Sequence, residues 1–165
     1  MMKTLFIGGI KSGKSKNAEK YILNSTDKLP IYLATSEAVD EQMQEKILQH
    51  QLQRSERFLT IEEPLNLFEA LKPIPVPVLI ECVSMWINNM LYYKFTAKDI
   101  YEQIQKIMTL QKDMVFVQND VSTTIVSQNR LAREFTDING IVSQMIASQC
   151  DEVYHCIAGI PTKIK

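Results

Sequence analysis

Residues 8–15 read Gly8-Gly9-Ile10-Lys11-Ser12-Gly13-Lys14-Ser15 and match the pattern G-x-x-x-x-G-K-[ST] at every fixed position. An apolar run precedes them at residues 4–7, and a helix-like stretch follows over residues 14–23. Glycines at positions 8 and 13 permit backbone angles that a side chain would forbid, so successive N–H groups can converge on an anion. A chance match in a turn is the alternative, and the strand–loop–helix context argues against it. The stretch therefore predicts a loop that wraps the phosphates of a purine nucleoside triphosphate.

Three polar side chains are expected to act on those phosphates. We expect Lys14 to reach the β- and γ-phosphates and Ser15 to ligate Mg²⁺. Glu81 ends the apolar run at residues 78–80, and a carboxylate there can hold a Mg²⁺-bound water or orient a substrate hydroxyl. The alternative for Glu81 is an acid at a helix N-terminus, where the helix dipole favours negative charge.

The chain of 165 residues alternates short apolar runs with longer amphipathic stretches, which is typical of βαβ units and a mainly parallel sheet. The predicted strands cover residues 4–7, 31–34, 78–81, 114–117, 152–157 and 162–164. The predicted helices cover residues 14–23, 40–57, 86–93, 99–111 and 131–150, and another begins at Pro64. We therefore expect an α/β three-layer fold of the P-loop NTPase type, with a mostly parallel central sheet in one domain over residues 1–165.

Composition excludes several classes of function. The 18 basic and 19 acidic residues leave a net charge of −1, which argues against non-specific nucleic-acid binding. Three cysteines without metal-ligand spacing favour neither a disulfide framework nor a zinc site. The apolar run at the N-terminus is too short for a signal peptide or a membrane span, so we expect no membrane insertion and a cytoplasmic protein.

The chain has two histidines, His50 and His155. In the predicted helix over residues 40–57, His50, Arg54 and Arg57 share one face and could form a pocket for phosphate. A neutral imidazole is also a competent nucleophile toward phosphorus. The spacing alone equally fits a solvated basic face interleaved with acidic residues. His155 falls inside a predicted strand and is interpreted as structural, or as an edge-of-sheet residue.

Further short motifs follow the phosphate loop in a fixed order along nearly the whole chain. They are Tyr32-x-Ala34-Thr35-Ser36, His50-x-x-x-Arg54, Thr60-x-Glu62-x-Pro64, Leu79-Ile80-Glu81-Cys82, the stretch from Asn129 to Gly140, Asp151-Glu152-Val153-Tyr154, and the chain end from Ala158 to Lys165. Their order and spacing resemble the bifunctional adenosylcobinamide kinase / adenosylcobinamide-phosphate guanylyltransferase family of cobalamin biosynthesis.

This resemblance implies two reactions that use Mg²⁺, with ATP and GTP as substrates. A nucleoside triphosphate first phosphorylates adenosylcobinamide, a corrinoid; GMP from GTP is then transferred through a GMP–histidine intermediate to give adenosyl-GDP-cobinamide. The resemblance makes His50 the nucleophile and Lys14 the other catalytic residue, in a homotrimer whose active sites lie between subunits. The implied nucleotide contacts are Gly8, Gly9, Ile10, Lys11, Ser12, Gly13, Lys14, Ser15, Ala34, Thr35, Ser36, Gln51, Leu52, Gln53, Arg54, Glu62 and Glu81.

The chain departs from the family pattern mainly over residues 120–127, where Asp120 keeps the acid but the usual glycines and proline are missing. A loop that required a positive φ would be strained there. Two other functional classes remain open. One is a P-loop small-molecule kinase without a covalent nucleotidyl intermediate, and the other is a nucleotide-gated binding module without transfer chemistry.

Overall fold

The computed structural model describes residues 1–37, 56–122 and 126–165. Within these ranges strands and helices alternate along the chain. The strands are β1 (Lys3–Gly8), β2 (Ile31–Ala34), β3 (Leu59–Glu62), β4 (Val78–Glu81), β5 (Met114–Asn119), β6 (Glu152–Ile157) and β7 (Ile160–Lys163). The helices are α1 (Lys14–Ser25), α2 (Leu67–Leu71), α3 (Val83–Tyr92), α4 (Ala97–Thr109) and α5 (Arg130–Gln149).

The described strands form a single sheet in the order β3-β2-β4-β5-β1-β6-β7. Every neighbouring pair is parallel except β6 and β7, which form an antiparallel hairpin. The carboxyl ends of β1, β2, β4 and β5 therefore meet at one edge of the sheet, where ligands bind in open parallel sheets. The strand β1, which leads into the phosphate loop, lies between β5 and β6.

Alternating side chains of the strands build a separate apolar layer on each face of the sheet. On one face Phe6 and Leu79 pack with Ala18 and Ile22 of α1. On the other face strand residues pack against the remaining described helices, around the fully buried Trp86. The expected three-layer α/β fold is therefore confirmed. None of the helices that the structure describes is both long enough and apolar enough to cross a bilayer.

Helix starts follow from local capping chemistry. In α4, Thr96 and Asp99 form a reciprocal capping box, and the buried side chains of Ile100, Ile104 and Ile107 recur at helical spacing. In α5, the Asn129 side chain accepts hydrogen bonds from the first free backbone N–H groups of the helix. Both helices therefore begin close to their predicted positions.

Three elements differ from the sequence-based expectation. Strand β3 was not predicted, because it is four residues long and half-exposed and, among the described strands, pairs with β2 alone, at the sheet edge. Strand β7 begins at Ile160 and includes Pro161, which an edge strand tolerates because one side of it carries no ladder bonds. Of the helix predicted over residues 40–57, residues 40–55 lie outside the described residues, and residues 56–57 form a turn.

Candidate nucleotide site

The phosphate loop leaves β1 and enters α1 through two unusual backbone conformations. Lys11 has a φ of 59° and Gly13, the residue that precedes α1, has a φ of 89°. The Ser12 N–H donates to the Gly9 carbonyl at 3.2 Å, which closes the turn between them. The loop thereby curls around the amino end of α1, where free N–H groups and the helix dipole attract an anion.

The three glycines of the loop serve different purposes. Gly13 needs the conformational freedom that the sequence predicted, because its φ lies in the left-handed region. At Gly8 the reason is close packing rather than backbone angle, since a Cβ there would lie 2.5 Å from the Cys156 carbonyl oxygen. The prediction that Gly8 is required for its backbone angles was therefore wrong. At Gly9 an added Cβ would meet no atom within 4 Å.

Lys14 is the first residue of α1, and its side chain is 7% exposed. Its ammonium group donates to the Gly9 carbonyl at 3.2 Å, so the side chain folds back over the loop. In phosphate loops of this kind, the backbone N–H groups bind the phosphates and the lysine ammonium contacts the terminal ones. The Lys14 ammonium lies inside the same loop. Its role toward the phosphates stays a prediction.

Ser15 and Glu81 meet although 66 positions separate them in the chain. The Ser15 hydroxyl donates to Glu81 Oε1 at 2.9 Å. Glu81 ends β4, which is separated from β1 by β5 alone, so the register of the parallel sheet brings the carboxylate to the first turn of α1. The predicted pair of hydroxyl and carboxylate is thus assembled at the carboxyl edge of the sheet.

The segment after β2 has a mixed role. Ala34 and Ser36 line the cleft beside the loop, whereas the side chain of Thr35 is fully buried. The Thr35 hydroxyl donates to the Cys82 carbonyl at 2.8 Å and accepts from the Cys82 N–H at 2.9 Å. These two hydrogen bonds of Thr35 therefore fix the backbone of Cys82, the residue that follows Glu81.

The phosphate loop opens into a cleft with a volume of about 670 Å³. Ile10, Lys11, Ser12, Gly13, Lys14, Ser15, Ala34, Ser36, Glu62 and Glu81 line it, as expected from the sequence. Arg57, which the sequence grouped with His50 and Arg54 as a candidate phosphate pocket, also lines it. The sequence did not assign four other lining residues to the site, namely Lys16, Glu19, Tyr32 and Asn119. Lys16 and Glu19 are close to the loop along α1, and helical spacing could have found them.

Asn119 reaches the cleft because β5 runs two residues further than predicted. Two neighbouring helices hold its backbone: its N–H donates to Ser84 Oγ at 3.0 Å, and its carbonyl accepts from the Asn139 side chain at 3.0 Å. Ser84 Oγ also donates to Asn139 Oδ1 at 2.7 Å. This buried polar network positions Asn119 beside Glu81, since both strands end at the same edge.

Arg57 and Glu19 form an ion pair at 3.7 Å across the rim of the cleft. Glu19 lies on α1, one turn after Ser15, and Arg57 precedes the buried Phe58. The Phe58 ring contacts the Tyr32 ring edge-on at a centroid distance of 5.6 Å, which anchors the chain next to Arg57. This ion pair therefore joins α1 to the chain that leads into β3 beside the cleft.

Cys82, Cys156 and the described histidine are poorly suited to covalent catalysis at the cleft. Burial, and then the charge of Glu81, raise the pKa of the Cys82 thiol, and burial likewise raises the pKa of the Cys156 thiol. A protonated thiol is a weak nucleophile. His155 is half-buried in β6, pairs with Ile7 and Thr162, and is absent from the lining of the cleft. Neither thiol chemistry nor His155 thus explains a group transfer here.

Several expected site residues lie outside the described residues. They are His50, Gln51, Leu52, Gln53 and Arg54. The departure loop is described in part: Asp120 Oδ1 accepts hydrogen bonds from the N–H and the hydroxyl of Ser122. No positive φ occurs at residues 120–122 or 126–127, so the missing glycines cause no strain over the part of this loop that the structure describes.

The donor set of the site fits a hard divalent cation. Ser15 and Glu81 offer oxygen atoms only, which is the ligand type that Mg²⁺ prefers. In the described parts of the chain, no three His, Cys, Asp or Glu side chains come together as a metal cage. A cation at Ser15 would therefore draw its further ligands from phosphate oxygens and water, as Mg²⁺ usually does at nucleotide sites.

Comparison with known proteins extends the likeness over the full chain. The family model described as cobinamide kinase / cobinamide phosphate guanyltransferase matches residues 4–164. The bifunctional adenosylcobalamin biosynthesis protein CobU of Escherichia coli strain K12 is 34% identical over 183 residues, which cover 99% of this chain and 100% of that protein. The protein of the same name from Salmonella typhimurium is 33% identical over 183 residues, with the same coverage. The bifunctional adenosylcobalamin biosynthesis protein CobP of Pseudomonas aeruginosa is 29% identical over 170 residues, or 99% of this chain and 98% of that protein.

Solved structures support the fold alone. The flagellar accessory protein FlaH from Methanocaldococcus jannaschii superimposes with a TM-score of 0.55 at 12% identity, covering 99% of this chain and 78% of that chain. A KaiC-like protein from Pyrococcus horikoshii OT3 gives a TM-score of 0.54 at 12% identity, covering 93% and 70% of the two chains. These neighbours have P-loop NTPase-type folds, in agreement with the expected fold class.

Proposed function

Because the chain belongs to the cobinamide kinase / cobinamide phosphate guanyltransferase family, we propose that it is a bifunctional enzyme of cobalamin biosynthesis. A nucleoside triphosphate first phosphorylates adenosylcobinamide, and GMP from GTP is then joined to that phosphate to give adenosyl-GDP-cobinamide. One observation carries the proposal: a chain that matches this family over residues 4–164 places Lys14, Ser15 and Glu81 together at one nucleotide-sized cleft.

In the kinase reaction the phosphate loop binds the triphosphate through its N–H groups and the positive end of α1. Lys14 exchanges its hydrogen bond to the Gly9 carbonyl for the β- and γ-phosphates and stabilises the charge that shifts during transfer. Glu81 lies at hydrogen-bond distance from Ser15 and orients the acceptor hydroxyl toward the γ-phosphorus. The acceptor oxygen forms the new P–O bond, the bond to the nucleoside diphosphate breaks, and the hydroxyl proton is released.

Mg²⁺ would be held by Ser15 Oγ, and by Glu81 either directly or through water. Bound there, it would neutralise phosphate charge during transfer. The Ser15–Glu81 hydrogen bond keeps both oxygen ligands at the edge of the loop before nucleotide arrives. Such preorganisation lowers the cost of assembling the site when substrate binds.

For the guanylyl transfer we propose His50 as the nucleophile. Its ring nitrogen attacks the α-phosphorus of GTP, the bond to pyrophosphate breaks, and a P–N bond to GMP forms as the ring loses its proton. An oxygen of the corrinoid phosphate then attacks the same phosphorus, the P–N bond breaks, and the histidine is regenerated. Arg54 neutralises charge on the α-phosphate. The raised thiol pKa values and the position of His155 support this assignment, because the described cleft offers no competing histidine or thiolate.

The nucleotide contacts complete the proposal. We propose that Gly8 to Ser15, Ala34 to Ser36, Gln51 to Arg54, Glu62 and Glu81 bind ATP or GTP, with Thr35 acting from beneath the cleft. The substrate partner is the corrinoid, and the assembly is a cytoplasmic homotrimer without nucleic acid. Sedimentation equilibrium of the purified chain tests the trimer directly, and a monomeric mass at micromolar concentration would contradict it.

The deciding experiment is intact-protein mass spectrometry after incubation with GTP and Mg²⁺, with ATP in a parallel sample. We expect an acid-labile gain of one GMP that His50→Ala abolishes, while GTP binding persists. The matched control is His155→Ala, which removes the other histidine of the chain and should leave the adduct intact. Lys14→Ala should weaken nucleotide binding and remove phosphoryl transfer.

Other results would support the alternatives. An adduct that persists in His50→Ala would exclude His50 as the nucleophile. Corrinoid phosphorylation without any adduct would favour a plain P-loop kinase. Nucleotide binding with only slow hydrolysis, and no transfer to adenosylcobinamide, would favour a nucleotide-gated binding module.

A further inference from the structure

The hairpin of β6 and β7 touches the phosphate loop at its tip. Ala158 and Gly159 form its two-residue turn, with φ values of 51° and 84°. Positive φ at both turn positions is characteristic of the tight turns that close such hairpins. The Gly159 N–H donates to the Ser12 carbonyl at 2.8 Å, so the turn bonds to the loop directly.

Asn17 adds a second connection between the same two segments. Its side-chain amide, half-buried on the first turn of α1, donates to the Gly13 carbonyl at 2.9 Å and to the Gly159 carbonyl at 3.0 Å. An asparagine amide has two N–H donors, and here each has an acceptor. One side chain therefore ties the end of the phosphate loop to the tip of the hairpin.

The hairpin turn and the phosphate loop are closely packed. A Cβ on Gly13 would lie 2.8 Å from the Gly159 Cα. Real Cβ atoms do not approach another carbon so closely, so the two backbones are already at contact distance. A movement of the turn must therefore displace the loop, or break the hydrogen bonds that join them.

These contacts also determine which way the peptide groups of the loop face. In a planar trans peptide the C=O and N–H point in opposite directions. The Ser12 carbonyl is bound by the Gly159 N–H, and the Gly13 carbonyl accepts from both the backbone N–H and the side-chain amide of Asn17, at 3.0 and 2.9 Å. The N–H groups of Gly13 and Lys14, which belong to the same two peptides, must then face the opposite side, toward the cleft that these residues line.

We propose that Asn17 is a positioning residue for nucleotide binding, and that the β6–β7 hairpin forms the back wall of the phosphate loop. By holding two loop carbonyls away from the cleft, Asn17 and Gly159 present two N–H donors to the phosphates of a nucleoside triphosphate. The inference rests on the proposed function only in that the loop binds such a ligand. It adds the C-terminal hairpin, more than 140 positions away in sequence, to the determinants of affinity.

The test compares three variants of α1. Asn17→Ala removes both hydrogen bonds of the side chain. Asn17→Ser keeps one, because a serine hydroxyl can bond to the carbonyl four residues earlier in its helix, here Gly13, but is too short to reach Gly159. Asn24→Ala is the matched control, since Asn24 is exposed on the same helix. For each protein we would measure the Kd of GTP and ATP, the KM for nucleotide and for the corrinoid acceptor, and Tm.

We expect both Asn17 variants to raise the Kd of GTP and ATP by about fivefold or more, which corresponds to losing hydrogen bonds of ordinary strength. The nucleotide KM should rise with the Kd, the acceptor KM should stay constant, and Asn24→Ala should match the wild type. A lower Tm with unchanged nucleotide Kd in Asn17→Ala would reduce Asn17 to a structural role and overturn the proposal.

Three further outcomes are decisive. Full affinity in Asn17→Ser would show that the bond to Gly13 suffices, and would refute the role of the hairpin. A wild-type protein that binds neither GTP nor ATP would refute the proposed function, and with it the positioning role. Wild-type binding with an unaffected Asn17→Ala variant would refute the positioning role alone.

Discussion

Gly13→Ala should destabilise the protein strongly, whereas Gly9→Ala should not. The φ of Gly13 is 89°, and placing a Cβ in the left-handed region costs roughly 1–2 kcal/mol. The added Cβ would also lie 2.8 Å from the Gly159 Cα, and relieving such overpacking costs a further 1–3 kcal/mol or so. We therefore expect the free energy of unfolding to fall by about 2–5 kcal/mol.

Gly9→Ala is the matched control within the same loop. An added Cβ at Gly9 meets no atom within 4 Å, and its backbone does not lie in the left-handed region. Both substitutions reduce the conformational entropy of the unfolded chain equally, so this contribution cancels in the comparison. The stability of Gly9→Ala should therefore stay within about 0.5 kcal/mol of the wild type.

The assay is urea denaturation followed by circular dichroism, with the slope of the transition compared among the three proteins. For a domain of this size, the expected loss corresponds to a Tm lowered by roughly 4–20 °C. Equal stability of the two variants would refute the close contact between the phosphate loop and the hairpin turn. A change in slope would show that the substitution alters the compactness of one of the states instead.

Three further predictions follow from the site and its surroundings. Glu81→Gln keeps the shape beside Ser15 but removes the charge; we expect phosphoryl transfer to fall about 100-fold or more with nucleotide binding retained, and a kcat within twofold of wild type would contradict this. Burial, and then the charge of Glu81, raise the pKa of Cys82, so its alkylation by iodoacetamide at pH 8 should be slow in the folded protein and fast in urea; rapid labelling of the folded protein would contradict it. Burial raises the pKa of Tyr21 from 10.0 to about 12, so the folded state retains a proton that the unfolded chain loses above pH 10, and stability should decline between pH 10 and 12. Tyr21→Phe should weaken that decline, which is measured by comparing the urea midpoints at pH 9 and pH 11. An unchanged decline in this variant would show that Tyr21 does not cause it.

The strands and the phosphate loop were predictable because their signals are local. Apolar runs of four to six residues identified β1, β2, β4, β5 and β6 to within two residues at either end. The glycines and Lys14 identified the loop, because glycine is favoured where the backbone is left-handed and because a phosphate-binding loop leads into the amino end of a helix. Strand β3 left a weaker mark, since a short half-exposed edge strand does not form an apolar run.

The site was predictable only in part, because its lining comes from distant segments. Glu81 could be inferred as the acid at the end of a buried strand, yet its hydrogen bond to Ser15 depends on β5 being the single strand between β4 and β1. Asn119 carries no motif of its own and joins the cleft through the end of β5. Arg57, expected on a helix with His50, reaches the cleft from the turn that leads into β3. Thr35, assigned to the nucleotide, turns out to bind the backbone of Cys82.

The sequence by itself determined the parallel α/β class and the family, and it predicted the phosphate loop at residues 8–15, because each depends on residue types at fixed local spacing. Only the tertiary structure decided which segments surround that loop: Glu81 on one side, and the Ala158–Gly159 turn held by Asn17 on the other. The physical reason is that alternating apolar side chains specify that a strand is buried but not which strand lies beside it. Strand order arises from packing the whole sheet between its two helical layers. It brought Glu81 to Ser15, across 66 positions of sequence, and Gly159 to Asn17, across 142 positions.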